Sequence, residues 1–156
     1  MKLKDYLDID LLNARISEGY INCKSHPKDN KLLIYNYTKQ CQIEWVWDDV
    51  ITKCRGLMCY DDTIIVRPID KFFELDHYDL EFFESRKGEK YELTEKLDGS
   101  LGIFYYVNSQ LYGISTMGSF ISNQAIFATK LLNTKYKHEI ESLLVPYVNK
   151  GYTIMF

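Results

Sequence analysis

The sequence predicts an α+β fold built on antiparallel sheets, and three observations carry that reading. Two hairpins can be read from it. Arg55–Tyr60 and residues 63–67 flank the turn pair Asp61-Asp62, and residues 101–107 and 111–115 flank Asn108-Ser109-Gln110. Helical patterns stand towards both ends of the chain, near residues 3–18 and 123–148. No repeat, low-complexity stretch or linker divides the 156 residues, which suffice for one domain, 1–156, with a sizeable core.

Taken in order, apolar Leu3, Tyr6, Leu7, Leu11, Ala14 and Ile16 predict one N-terminal helix or two short ones, ended by Gly19. The polar stretch 24–30, with Pro27, predicts a loop, and residues 32–37 a strand. Cys41, Ile43, Trp45 and Trp47 alternate with Gln42, Glu44 and Val46, which predicts another strand. Asp48 and Asp49 are placed to cap a short helical turn leading to Lys53. Tyr91, Leu93 and Glu95 alternate with Glu92 and Thr94, a strand that would end on Lys96. After the second hairpin, Ser122 predicts the N-cap of a helix over 123–132. A further helix over 135–148 should be broken or kinked by Pro146. Residues 152–156 form an apolar run expected to be a buried strand. Phe120, Phe127, Leu131 and Leu144 are expected in the core.

Composition narrows the function. The chain is 46% hydrophobic and 15% aromatic, hence globular, and a net charge of −3 argues against a protein that coats nucleic acid through a global basic field. It leaves room for an enzyme that aims a few cations at phosphates in a cleft. Cys23, Cys41, Cys54 and Cys59 form no C-x-x-C pair, and no histidine set has zinc spacing, so free thiols are expected. His26, His77 and His138 show no catalytic grouping. With no signal peptide and no run of transmembrane length, a cytoplasmic location is expected, or the host cytoplasm if the gene belongs to a phage.

The most informative run is Thr94-Glu95-Lys96-Leu97-Asp98-Gly99-Ser100. It sets a primary amine between two predicted strands, beside a glycine that lets the backbone turn and approach a bulky ligand. A lysine becomes a nucleophile when burial or nearby cations lower its pKa from about 10.4. Lys-x-Asp-Gly is the nucleophile motif of covalent nucleotidyltransferases, and it does not stand alone here. Upstream are Tyr35-Asn36-Tyr37, Arg55-Gly56 and Lys71-Phe72-Phe73; downstream are Thr116-Met117-Gly118-Ser119 and Ser122-Asn123-Gln124-Ala125. In this order and spacing, residues 35–156 resemble the RNA ligase 1 family of phage-type enzymes, whose adenylyltransferase domain is shared with fungal tRNA ligases.

The resemblance implies an antiparallel nucleotidyltransferase domain that seals RNA with ATP and Mg²⁺ or Mn²⁺, acting on RNA with 5′-phosphate and 3′-hydroxyl ends. It implies Lys96 as the adenylylated nucleophile. It also implies Tyr35, Arg55 and Lys71 at the ATP site, Glu95 near the adenine and Gly99 near the phosphate. Phe72 and Phe73 would flank the nucleotide or pack in the core. Two positions depart from the family pattern: Met117 stands where a basic residue is usual, and Glu74 where Asn is usual. The chain stops inside an apolar run, before the acidic metal ligand and paired lysines of the family, so an incomplete domain, inactive alone, is expected. A capping-type guanylyltransferase using GTP and a catalytically dead nucleotide- or RNA-binding module are the alternatives.

Overall fold

The computed structural model describes residues 1–95 and 98–156. Its fold is α+β with antiparallel sheets. Strands β1 (Ile21–His26), β2 (Asp29–Tyr37), β3 (Arg55–Tyr60) and β4 (Thr63–Val66) form one sheet in the order β1-β2-β3-β4. Strands β5 (Ile103–Asn108) and β6 (Leu111–Ser115) form a second. Side chains alternate across β2, so each face serves a different core. Tyr35 and Tyr37 join Leu57, Cys59 and Ile51 on one side, under helices α1 (Ile9–Ser17), α2 (Lys39–Glu44) and α3 (Asp49–Lys53). Leu32 and Ile34 join Met58, Ile103, Tyr105 and Phe120 on the other, which glues the two sheets together. A third cluster packs helix α5 (Asn123–Lys135) and the chain after it on Phe104 and Ile114.

Local chemistry explains the boundaries. Asp8, Asp48 and Ser122 cap α1, α3 and α5 by accepting from Leu11, Ile51 and Ala125 N–H, at 3.0, 2.8 and 3.2 Å. Asp61 and Asp62, at φ 51° and 62°, make the two-residue turn of the β3–β4 hairpin. The 135–148 segment breaks as expected, into α6 (Lys137–Glu139), a π-helical turn (Ile140–Leu144) and α7 (Val145–Asn149). Pro146 sits in the first turn of α7, where its lack of an N–H costs nothing.

Five expectations are corrected. Residues 24–30 are no loop: β1 runs to His26 and β2 starts at Asp29, so Pro27 and Lys28 alone turn the chain. The alternating 41–47 stretch is mostly helix α2, because Thr38 Oγ1 accepts from Cys41 N–H at 3.2 Å and caps it. Trp45 ends that helix in the left-handed region at φ 55°. Residues 91–95 form no strand and are exposed. Phe127 and Leu131 face solvent, whereas Phe120 and Leu144 are buried. Residues 154–156 do pair with the hairpin as a strand would, through Phe104 N–H to Ile154 O at 3.0 Å and Gly102 N–H to Phe156 O at 2.9 Å, but the run is not buried.

Sheet edges are covered by unlike means. The N-terminus lies along β4, with Ile64 N–H bonded to Met1 O and Leu3 N–H to Asp62 O. On β6, the Thr129 hydroxyl of α5 accepts from Ile114 N–H at 2.9 Å and donates to Ile114 O at 3.1 Å. Among the described residues, no helix is long and apolar enough to cross a membrane.

At Gly56 the two sheets pack closely. It forms a bulge opposite Tyr35 and Asn36 at φ 85°, and a Cβ there would lie 2.5 Å from Ile103 Cδ1 and 3.3 Å from Met117 O. Gly56→Ala therefore adds left-handed strain to overpacking, and should cost about 3 kcal/mol. Urea unfolding checks this: the midpoint should fall while the slope m stays unchanged.

Candidate functional site

Arg55 opens β3, immediately before that bulge, and Lys71 lies beyond β4 with its N–H fixed to Thr52 O at 2.8 Å. Sixteen residues apart in sequence, the two cations converge on the same ring. The Arg55 guanidinium lies 5.4 Å from the Phe72 centroid and donates to Ile69 O at 3.3 Å. The Lys71 ammonium lies 5.9 Å from Phe72, 4.3 Å from Phe73 and 5.6 Å from Trp47, and donates to Phe72 O. Rings of Trp45, Trp47, Phe73 and His77 pack edge to face around it at 4.6–6.4 Å. Phe73 thus packs inside this aromatic wall, and Phe72 remains half-exposed beneath the two cations.

Burial holds the Lys71 pKa below the ordinary lysine value of 10.5; the Arg55 charge pushes it further down and Glu74 opposes both. The ammonium is therefore lost at a lower pH than that of a free lysine. Any reaction that needs this charge should fall off on an alkaline limb below pH 10.5. Lys71→Arg should move that limb upward, since a guanidinium stays charged beyond pH 12. Glu74→Gln should move it downward. Rate against pH for the three proteins is the measurement, and coincident limbs would reject the role.

The remaining predicted residues fall less compactly. Tyr35 is buried among the core side chains beside Cys23, Cys54 and Cys59, and burial raises its pKa. Among the described residues no hydrogen bond or ring contact joins it to Arg55 or Lys71. Glu95 and Gly99 are exposed, and a Cβ on Gly99 would meet nothing within 4 Å. Lys96 lies outside the described residues. Met117 sets its backbone against Gly56, and Gly118 comes close to the Asn36 carboxamide, so this segment abuts the Arg55 end of β3.

Sequence reasoning passed over two neighbours of the site, Asn36 and Trp47. Asn36 pairs with Arg55 across the sheet and donates to Tyr37 O at 2.8 Å. Its Oδ1, the Trp47 Nε1 and the Ser115 Oγ are buried without a hydrogen-bond partner among the described residues. Each such atom costs about 1–3 kcal/mol, and all three residues adjoin the Arg55–Lys71–Met117 end of the fold. Asn36 stands in the Tyr35-Asn36-Tyr37 segment without a role of its own, and a Trp after a helix carries no sequence signal that would have set it apart.

Glu74, Asp76 and His77 bring one ligand atom each to within 4.8 Å of one another, all exposed. His77 is accounted for by its packing on Trp45 and Phe73. The four cysteines are free. Burial raises the Cys41 thiol to about 11 and Cys59 to about 12, so neither is a nucleophile at neutral pH.

Two cations thus stand over one exposed ring beside an aromatic wall. Comparison with protein families supplies the class: residues 53–156, holding Arg55, Lys71 and the Lys96 motif, match the RNA ligase family, and the chain belongs to it. A search of curated proteins finds no match.

Proposed function

We propose that this chain belongs to an ATP-dependent RNA ligase and carries its nucleotide-transfer residues. The observation that carries the reading is the convergence of Arg55 and Lys71 over Phe72 within the residues that match the family. In the first step the unprotonated Lys96 amine attacks the α-phosphorus of ATP. The bond to the bridging oxygen breaks, pyrophosphate leaves with the electron pair, and a lysyl–AMP phosphoramidate remains. In the second, an RNA 5′-phosphate oxygen displaces the lysine and takes the AMP. In the third, the 3′-hydroxyl attacks that activated phosphate, releases AMP and seals the strand.

Arg55 and Lys71 stabilise charge that develops on the phosphate oxygens; the arginine offers a fork of donors and the lysine a point charge. Magnesium or manganese supplies further neutralisation of the triphosphate. Glu95 and Gly99 stand at the nucleotide by the family pattern, and Tyr35 supports the strand that carries Asn36.

Incubation of the full chain with ATP or with GTP, followed by intact-mass measurement, tests the reading. An AMP adduct with ATP alone would support the reading and overturn the expectation that residues 1–156 are inactive without the family's later motifs. A GMP adduct would move the chain to the guanylyltransferases, and no adduct with either would leave a non-catalytic binding module.

A further inference from the structure

Away from the Arg55–Lys71 wall, a cavity of about 320 Å³ opens between the β1–β2 turn, the β5–β6 turn and α5. Its wall is organised by His26, which is buried. The Lys28 N–H donates to His26 Nδ1 at 3.1 Å, so the neutral ring carries its proton on Nε2. That N–H donates to the Tyr105 hydroxyl oxygen at 3.1 Å. Burial and the Lys28 charge lower the His26 pKa, with Asp29 opposing, which keeps the ring neutral. Tyr105 is 4% exposed and its phenol is pushed up to about 12 by burial, so it keeps its own proton. With its oxygen already accepting from His26, that O–H has no acceptor among the described residues.

The other polar groups of the cavity divide cleanly. Asn133 is spent, accepting from the Tyr112 hydroxyl at 2.6 Å and donating to Thr129 O at 2.8 Å, and the Thr129 hydroxyl is spent on Ile114. Lys28, Lys130 and Gln110 line the opening with no carboxylate beside them. The nearest acid in sequence, Asp29, is engaged by the Tyr60 hydroxyl at 3.1 Å and Lys31 N–H at 3.0 Å. Every uncommitted group except the Gln110 amide oxygen is thus a donor or a cation. Phe120, held edge-on by His26 at 4.9 Å, and the exposed Ile121 and Ile126 add an apolar side. Two cations and a fixed donor suit an anion, and the apolar side suits a flat ring.

We propose that this cavity binds one nucleotide of the single-stranded RNA substrate, its phosphate held by Lys28, Lys130 and the Tyr105 hydroxyl and its base laid against Phe120 and Ile121. The inference rests on RNA being the substrate. It adds a second point of attachment, separate from the nucleotide-transfer site, that would hold the strand in register. His26 acts as a positioning residue: it turns the Tyr105 proton towards the opening.

The test is fluorescence anisotropy of the full chain with a labelled 5′-phosphorylated oligoribonucleotide, titrated at several salt concentrations. Lys28→Ala/Lys130→Ala changes only exposed side chains. It should weaken binding about tenfold and reduce the slope of log K against log salt by about 1.4, the single-strand value for two cations. A control pair, Lys4→Ala/Lys137→Ala, removes the same charge elsewhere and should stay within about twofold of wild type. Tyr105→Phe should add a further loss of a few fold. The inference is overturned if the wild type does not bind the RNA, if the Lys28/Lys130 pair binds like wild type, or if the control pair loses as much. Inorganic phosphate that protects Lys28 and Lys130 from acetylation when the oligonucleotide does not would also overturn it, by making the cavity a small-anion site. The ATP adduct of the same wild-type preparation reports separately on the ligase reading.

Discussion

Lys96→Ala should abolish nucleotide attachment altogether, rather than slow it. The phosphoramidate is a covalent bond to the side-chain amine, and alanine has nothing with which to form it. In a protein that includes the family's later motifs, intact-mass spectra after ATP and Mg²⁺ should show the AMP adduct in the wild type and none in the variant. Lys96→Arg should fail as well, since a guanidinium stays protonated and cannot attack. An adduct that persists, or that peptide mapping places on another lysine, would reject the assignment. Sealing of RNA that already carries a 5′-adenylate skips the first step, so Lys96→Ala should retain part of that activity.

The next largest losses are expected at Arg55 and Lys71. Removing one preorganised donor to a developing oxyanion typically lowers the rate about 10²–10³-fold, and Arg55→Ala and Lys71→Ala should each do so in adenylylation. Both side chains are partly exposed, and among the described residues they hydrogen-bond to local backbone oxygens, Ile69 O and Phe72 O, so the fold should survive either change. Circular dichroism is the control: an unfolded variant would make the residue structural. The double variant should lose less than the product of the single losses, because Arg55 and Lys71 stand over one ring and each lowers the cost of the other's removal.

Much of the scaffold could be read from residues whose local chemistry has one outcome. Asp61-Asp62 permit a left-handed turn, Ser122 and Asp48 cap helices, and the 101–115 hairpin alternates cleanly. The errors fall where local signals compete. Cys41 to Trp47 alternates like a strand, but the Thr38 cap and the covered face of the first sheet make it a helix. Pro27 suggested a loop, yet a two-residue turn needs so little chain that strands run up to it on both sides. Phe127 and Leu131 are apolar without being buried, because α5 turns only Ala125 and Leu132 fully inward. For the site, the family resemblance named Arg55 and Lys71, and no sequence signal disclosed that they meet over one ring. The His26–Tyr105 pair was equally hidden, since 79 residues separate its members.

The hydroxyl of Thr129 on Ile114 and the N-terminus laid along β4 bear on crowding. A bare strand edge is a template for neighbouring chains, and stacking of such edges begins many insoluble deposits. On β6 a single side chain imitates the donor and acceptor of a missing strand, and on β4 the first three residues act as a seal. Resistance of this aromatic-rich chain to such stacking thus depends on small fittings at its edges. β1, whose outward positions include Asn22, Lys24 and Ser25, is protected instead by polarity and charge.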